Sequence, residues 1–414
     1  MSSIASLRSM EILDSRGRPT LRTEVMLDSG ASAAAAVPSG ASTGAAEAWE
    51  LRDGGDRYLG LGCRRAVGHV NGEIAKHIGG REWNQESLDR ALIELDGTAN
   101  KARLGANAIL SVSMAFARAA AREHDIELYE YFASLVGGRP RLPGLTINLF
   151  SGGCHAGGQV PVQDCLIVPQ SPPTICDALE ATYRVYQTAA ELVQRQYNMR
   201  ALTADEGGLA PPFPSVEAMF TDAVRAIEGA GFEPGSDFSL AIDVASSQFH
   251  EDGAYQLAAE TLSPDHMIDR ISGWVDAYPI RSVEDGLFEE DWCSWKRLTQ
   301  RLAGKALVLG DDFLCTNPAR IHRAVAEDAA NALLLKVNQI GTLTEAAEAN
   351  RVAREARWQV VVSARSGETE DNWLADLAVG WAATYIKVGS ITQSERLAKY
   401  NRLLEIESKM HRAG

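Results

Sequence analysis

In the second half of the 414-residue chain, short apolar runs end on charged or polar residues. AIDVASS ends on Asp243, RSVEDG on Glu284 and VLGDDF on Asp311. LLLKVNQ carries Lys336, VVVSARSGE carries Arg365 and Ser366, and YIKVGS carries Lys387. The first three are 41 and 27 residues apart, and the later intervals are 25, 29 and 22. Each interval is roughly one strand plus one helix, the repeat of a barrel whose strand ends converge on one mouth. A single strand-end charge is usually a solvated cap. Six in register are a different matter. A run such as ALLLKVN places a lysine in the wall of an apolar strand, which costs free energy unless a partner or a function compensates.

These residue types combine into one chemistry. Three carboxylates from separate strands offer hard oxygen ligands suited to Mg²⁺. A lysine beside a divalent cation has its charged form disfavoured, which suits Lys336 to act as a general base. Arg365 and Lys387 are then left for anionic groups of a substrate. Metal, basic lysine and anion clamps together suggest abstraction of a proton next to a carboxylate, with metal ions stabilising the enediolate charge.

The elements that must position these groups are readable in outline. Residues 5 to 28 form two strands around the turn Ser15-Arg16-Gly17-Arg18-Pro19. A loop of small residues, AAAAVPSGASTGAAEAWELRDG, follows, and then helical stretches at 64–77, 86–95 and 105–124. This predicts an N-terminal α+β capping domain over residues 1–133. The stretch VGGRPRLPGL reads as a linker. From residue 142 to 414, eight apolar runs (LTINLF, CLIVP, FSLAIDV, RSVED, ALVLGDD, ALLLKVN, WQVVVSA and TYIKVG) alternate with segments of helical periodicity. The expected fold class is therefore α/β, a mainly parallel (β/α)8 barrel behind the capping domain. No G-x-G-x-x-G follows a first strand, which counts against a dinucleotide-binding fold.

Composition narrows the partners. A net charge of -15, from 40 basic and 55 acidic residues, makes the chain a poor non-specific binder of nucleic acid. The six cysteines form no C-x-x-C pair and match no zinc spacing, so they read as reduced thiols. The first residues lack the apolar core of a signal peptide, and no segment approaches the ~18 apolar residues of a membrane span. A cytoplasmic protein that binds no membrane is expected.

The motifs resemble enolase along nearly the whole chain. They are DSRGRPT at 14–20, VPSGASTG at 37–44, LDGTANKARLGANAIL at 95–110 and GGCHAGG at 152–158. DEGGLAP at 205–211, IDVASS at 242–247, SVED at 282–285 and the Asp311-Asp312 pair continue the series. ALLLKVNQIGTL at 332–343, SARSGETED at 363–371 and SERLAKYNRLL at 394–404 complete it. The resemblance implies an enolase-type barrel, a phosphorylated small-molecule substrate, two Mg²⁺ ions and a homodimer or higher homo-oligomer. Enolase-superfamily sites use a Lys or His base with Mg²⁺. The resemblance also implies roles. Asp243, Glu284 and Asp311 would hold the first ion, and Ser39, in a mobile loop, would help hold the second. Lys336 would take the proton from carbon 2 of 2-phosphoglycerate, and Glu206, paired with Asp164, would protonate the hydroxyl leaving carbon 3. Arg365 and Ser366 would hold the phosphate and Lys387 the carboxylate end. His155 would close over the substrate and Gln163 would line the pocket.

Three positions depart from the family pattern. Ala364 stands where S-H-R-S-G-E-T-E-D has histidine, Asp164 where a glutamate follows the glutamine, and Gly286 where the motif reads SVEDP. Ser151 replaces an asparagine. Three readings follow: an ordinary enolase that tolerates these changes, an inactive enolase-like binding or structural protein, or an active paralogue with an altered substrate. Ala364 and Asp164 both remove volume on the leaving-group side. That fits paralogues in phosphonate-antibiotic pathways, which make carboxyphosphonoenolpyruvate, an analogue of phosphoenolpyruvate.

Overall fold

The computed structural model describes residues 1–41 and 43–413; Ser42, within the VPSGASTG motif, lies outside the described residues. The chain opens with β1 (Ser2–Leu13) and β2 (Pro19–Leu27), the expected hairpin. Its turn is organised by Asp14, whose Oδ1 accepts from the backbone N–H of Arg16 (2.8 Å) and Arg18 (2.9 Å). The small-residue segment expected to be loop begins instead as a third strand, β3 (Ser32–Ala36), paired antiparallel with β2. Alanine has little intrinsic strand preference. Here β2 offers a free edge, and Ala33, Ala35 and Ala36 are buried. β4 (Glu82–Trp83) completes a sheet of order β3-β2-β1-β4.

Helices α1 (Arg64–His69) and α2 (Ala75–Ile78), joined by a π-helical turn, fill the expected 64–77 stretch. Then come α3 (Gln85–Asp96), α4 (Ala106–Glu123) and α5 (Leu128–Val136). Asn84 caps α3 through a capping box with Ser87. Helix α4 is buried on nearly every face because the sheet lies on one side and its neighbour helices on the other.

Eight strands close the barrel: β5 (Gly144–Ser151), β6 (Asp164–Pro169), β7 (Phe238–Asp243), β11 (Ile280–Glu284), β12 (Leu307–Gly310), β13 (Ala332–Leu335), β14 (Gln359–Ser363) and β15 (Tyr385–Gly389). All eight apolar runs of the sequence are barrel strands. A small sheet of β8 (His250–Glu251), β9 (Ala254–Leu257) and β10 (Glu260–Leu262) hangs from the β7–β11 connection. The surrounding helices are α6 (Ile175–Tyr197), α7 (Val216–Gly229), α8 (Pro264–Ala277), α9 (Trp292–Arg301), α10 (Pro318–Glu327), α11 (Val337–Ile340), α12 (Leu343–Glu355), α13 (Trp373–Gly380) and α14 (Ser394–Ala413). Thr174, Ser215, Ser263, Asp291, Asn317 and Thr342 each cap the helix they precede with a side-chain oxygen.

One strand departs from simple alternation. β6 runs antiparallel to both β5 and β7, and α6 and α7 follow it together. The segment 152–163 contains only one 3₁₀ turn, too little to carry a helical crossover, so β6 returns down the barrel. Its first residue, Asp164, therefore stands at the mouth, beside Ser151 and Asp243 in the strand register.

Candidate active site

The strand ends deliver the charged side chains into one buried cluster. Lys387 Nζ lies 2.9 Å from Asp243 Oδ2 and 2.8 and 2.7 Å from the two oxygens of Glu284. Lys336 Nζ lies 2.5 Å from Asp311 Oδ2. Burial opposes the Lys387 ammonium, but Asp243 and Glu284 outweigh it and hold its pKa well above the usual lysine range. Burial also opposes the Asp243 carboxylate, yet Lys387 pulls its pKa down to about 2. Burial and the neighbouring Asp243 push Glu284 well up.

Gln163, expected in the pocket, and two residues not singled out in the sequence, Gln339 and Asp285, hold the carboxylates in place. Gln163 Nε2 donates to Asp243 Oδ2 (3.1 Å), and Gln339 Nε2 to Asp311 Oδ1 (2.8 Å). Asp285 accepts from the backbone N–H of Asp311 (2.9 Å) and of Asp312 (2.8 Å), fixing the turn after β12. Gln339 sits inside the ALLLKVNQ run, three residues after Lys336, and that position was the signal available for it.

A second cluster flanks the first. His155 Nδ1 lies 3.0 Å from Asp164 Oδ2, and His155 Nε2 lies 3.9 Å from Glu206 Oε1. Ser151 Oγ donates to Asp164 Oδ1 (2.6 Å), and Asn148 Nδ2 to Glu206 Oε2 (3.2 Å). Burial works against the imidazolium, but Asp164 and Glu206 raise the His155 pKa to about 9. Burial raises Asp164 against the pull of His155. Glu206 is held below the usual range because His155, Arg396 and Lys387 outweigh its burial. The proton of this cluster therefore rests on the His155–Asp164 side.

His155, Gln163, Glu206, Asp243, Lys336, Arg365, Ser366 and Lys387 line one cavity of 20 Å³, with Ala41, Ser363 and Ala364. That is room for about one water. Arg365 does not stand open to an anion: it makes a two-pronged ion pair with Glu47, with both N–O distances 3.1 Å. Ser39 is turned away from the carboxylates. Its Oγ donates to Glu50 (3.1 Å) and accepts from Arg52 (2.7 Å), and its backbone bridges Gly367. Arg16, from the first hairpin, donates to Ser366 Oγ (3.1 Å) and to the carbonyl of Ser39 (3.0 Å). Glu47 and Arg16 belong to the motifs AAEAWELRDG and DSRGRPT, yet only their neighbours stood out in the sequence.

Two sets of acidic or imidazole side chains, among the described residues, have ligand atoms all within 4.8 Å of one another: His155–Asp164–Glu206 and Asp285–Asp311–Asp312. Asp243, Glu284 and Asp311 are not such a set. Asp243 and Glu284 share Lys387, whereas Asp311 leans to Lys336. The donors still suit a hard divalent cation. All three are buried carboxylates that need positive charge, and two ammonium groups now supply it.

Residues 4–132 match the family model described as enolase, N-terminal domain, and residues 140–414 match enolase, C-terminal TIM barrel domain. The chain belongs to the enolase family. In this enolase-family chain the departures have definite surroundings. Ala364 is buried and lines the cavity beside Lys336 and Glu206. Among the described residues the Asp164 side chain hydrogen-bonds Ser151 and His155, consistent with a shorter arm and with serine in place of asparagine. Gly286 is packed so closely that a Cβ there would stand 2.9 Å from Leu298 Cδ2 and 3.1 Å from Ile271 Cδ1. No helix among the described residues is long and apolar enough to cross a membrane, and all six cysteines are free.

Proposed function

We propose that the protein is a Mg²⁺-dependent carbon–oxygen lyase that removes the C2 proton of 2-phosphoglycerate or a close analogue, giving phosphoenolpyruvate or a product like it. One observation supports this reading above the rest: Lys336 and Glu206 line the same small cavity, with the strand-end carboxylate Asp243, Arg365, Ser366 and Lys387 around them. Asp243, Glu284 and Asp311 would hold one Mg²⁺, and Ser39 would join the ligands of a second once it leaves Glu50 and Arg52. Bound Mg²⁺ would supply positive charge for the oxyanion that develops on a carboxylate when its neighbouring carbon loses a proton.

The protein's own groups do the rest. Lys336 accepts the C2 proton at Nζ. Asp311 now sustains its charge against burial, while Arg365 and Lys387 oppose it. Drawing Asp311 away therefore frees Lys336 to become neutral and basic. Glu206 delivers a proton to the C3 hydroxyl, drawing it from the adjoining His155–Asp164 pair. Arg365 and Ser366 take the phosphoryl group in exchange for Glu47, because a guanidinium fork suits phosphate as well as carboxylate. Closure of the cavity keeps water from the carbanionic centre.

Ala364 and Asp164 favour a second reading of the product. Both remove side-chain volume on the Glu206 side and leave Lys336 in place, as expected for an enzyme that makes carboxyphosphonoenolpyruvate. Mixing protein, Mg²⁺ and 2-phosphoglycerate and following phosphoenolpyruvate absorbance separates the readings. The main reading expects turnover. Tight, Mg²⁺-dependent binding of 2-phosphoglycerate without turnover selects the analogue. Neither binding nor turnover selects an inactive binding or structural protein and overturns both.

A further inference from the structure

The barrel holds a second cavity, at the end opposite the mouth, with a volume of about 390 Å³. The strand starts Leu307, Gln359 and Tyr385, and Arg281 near the start of β11, lie around it. Barrel interiors of this class are normally filled by layers of bulky branched side chains. Here Ala241 and Ser282, each two residues before a mouth carboxylate and so on the same strand face, are too short to fill their layer. Leu166, Val168, Leu309 and Val361 give the cavity an apolar wall. Its volume falls in the range of ~300–1,000 Å³ usual for small-molecule sites.

Charged groups stand at both ends of this cavity, paired at the inner end and, in Arg281, unpaired at the rim among the described residues. At the inner end Lys387 and Glu284 form the roof, and Lys387 also lines the mouth cavity above. At the open end stands Arg281, exposed and, among the described residues, without an ion-pair or hydrogen-bond partner. Lys305, beside it, is half exposed and already paired with Asp276 at 2.6 Å. A chamber with an aliphatic wall, a polar side at Thr146, Asn331 and Gln359, and an unpaired guanidinium at its rim matches a ligand with a largely apolar body and one anionic head.

We propose that this cavity is a second ligand site, for a small amphipathic carboxylate whose apolar body occupies the barrel interior and whose carboxylate meets Arg281. The cavity shares Lys387 and Glu284 with the mouth, but Arg281, the partner of the carboxylate, has no part there.

Calorimetric titration of the full-length protein with 2-naphthoate tests the assignment, with naphthalene-2-methanol as the uncharged counterpart. Saturable 1:1 binding of the acid is expected. Arg281→Ala should weaken the acid at least about fivefold and Arg281→Glu further, with the alcohol unchanged within about twofold. Ala241→Leu, checked for native circular dichroism, should abolish binding of both. The Arg281 variants change an exposed side chain, so they decide the matter even if Ala241→Leu does not fold. No saturable binding of 2-naphthoate by the wild type overturns the proposal. So does an affinity for the acid that Arg281→Ala leaves unaltered.

Discussion

Burial alone would keep the His155 imidazole neutral, yet two carboxylates, one 3.0 Å and one 3.9 Å away, raise its pKa to about 9. The consequence for stability has a definite sign. An ordinary histidine titrates near 6.5, so the folded state binds the proton more tightly than the unfolded chain does. That stabilisation is complete below about pH 6.5 and is lost as pH rises through about 9. The shift corresponds to about 3 kcal/mol at full effect. Urea unfolding at pH 6 and pH 9, in the absence of divalent cations, checks it. Wild-type protein should lose about 3 kcal/mol more over this interval than His155→Gln. Parallel losses in the two proteins would show that His155 does not carry this charge.

At the scale of elements, the turn after β11 sets the geometry of the mouth. Asp285 adopts a left-handed backbone (φ 43°) and holds the N–H groups of Asp311 and Asp312. The next residue, Gly286, packs against Leu298 and Ile271 on α9 and α8 without room for a Cβ. Gly286→Ala is expected to cost about 1 kcal/mol by overpacking, read as a lower midpoint in urea unfolding; an unchanged midpoint would mean that the helices yield freely.

Elements also explain what the sequence made legible. The eight barrel strands stood out because each is an apolar run bounded by turn residues, and the mouth residues because a charge at the end of such a run is conspicuous. Strand direction is not encoded in periodicity, so the reversed β6 emerged only with the fold. β3 was hidden because its residues are alanines, whose strand conformation comes from pairing with β2 rather than from propensity. Glu47, Arg16 and Gln339 were obscure for another reason. Their importance lies in contacts with Arg365, Ser366 and Asp311, whose sequence separations range from 28 to 350 residues. The spacing also did not foretell that the lysines would neutralise the carboxylates.

Over the whole molecule, the capping domain is a working part of the barrel. Arg16 and Glu47 reach into the mouth, and Ser39 bridges Gly367. Further out, Arg118 pairs with Asp371 (2.8 Å), Lys101 with Glu345 (2.9 Å) and Arg402 with Glu127 (2.9 Å). Helix α13 lies so close to α5 that a Cβ on Gly380 would stand 2.4 Å from the Tyr129 carbonyl, and Trp381 Nε1 donates to the Phe132 carbonyl (3.1 Å). A fragment of residues 140–414 would bare this surface and lose half of the Arg365 pair. It is expected to show helical far-ultraviolet but weakened near-ultraviolet circular dichroism, and a fully native near-ultraviolet spectrum would show the barrel to be self-sufficient.

On the function proposed above, the mouth removes a proton from the carbon next to a carboxylate, and Lys336 receives it. The most direct measurement is solvent exchange: 2-phosphoglycerate, Mg²⁺ and protein in deuterium oxide, with the C2 position followed by proton magnetic resonance. Wild-type protein should replace the C2 proton with deuterium, and Lys336→Ala should slow this by at least about 10²–10⁴-fold in protein that keeps its native circular dichroism with Mg²⁺ present. Mg²⁺-dependent binding without exchange in the wild type would rule out proton removal at C2, and exchange that survives in Lys336→Ala would rule out Lys336 as its acceptor.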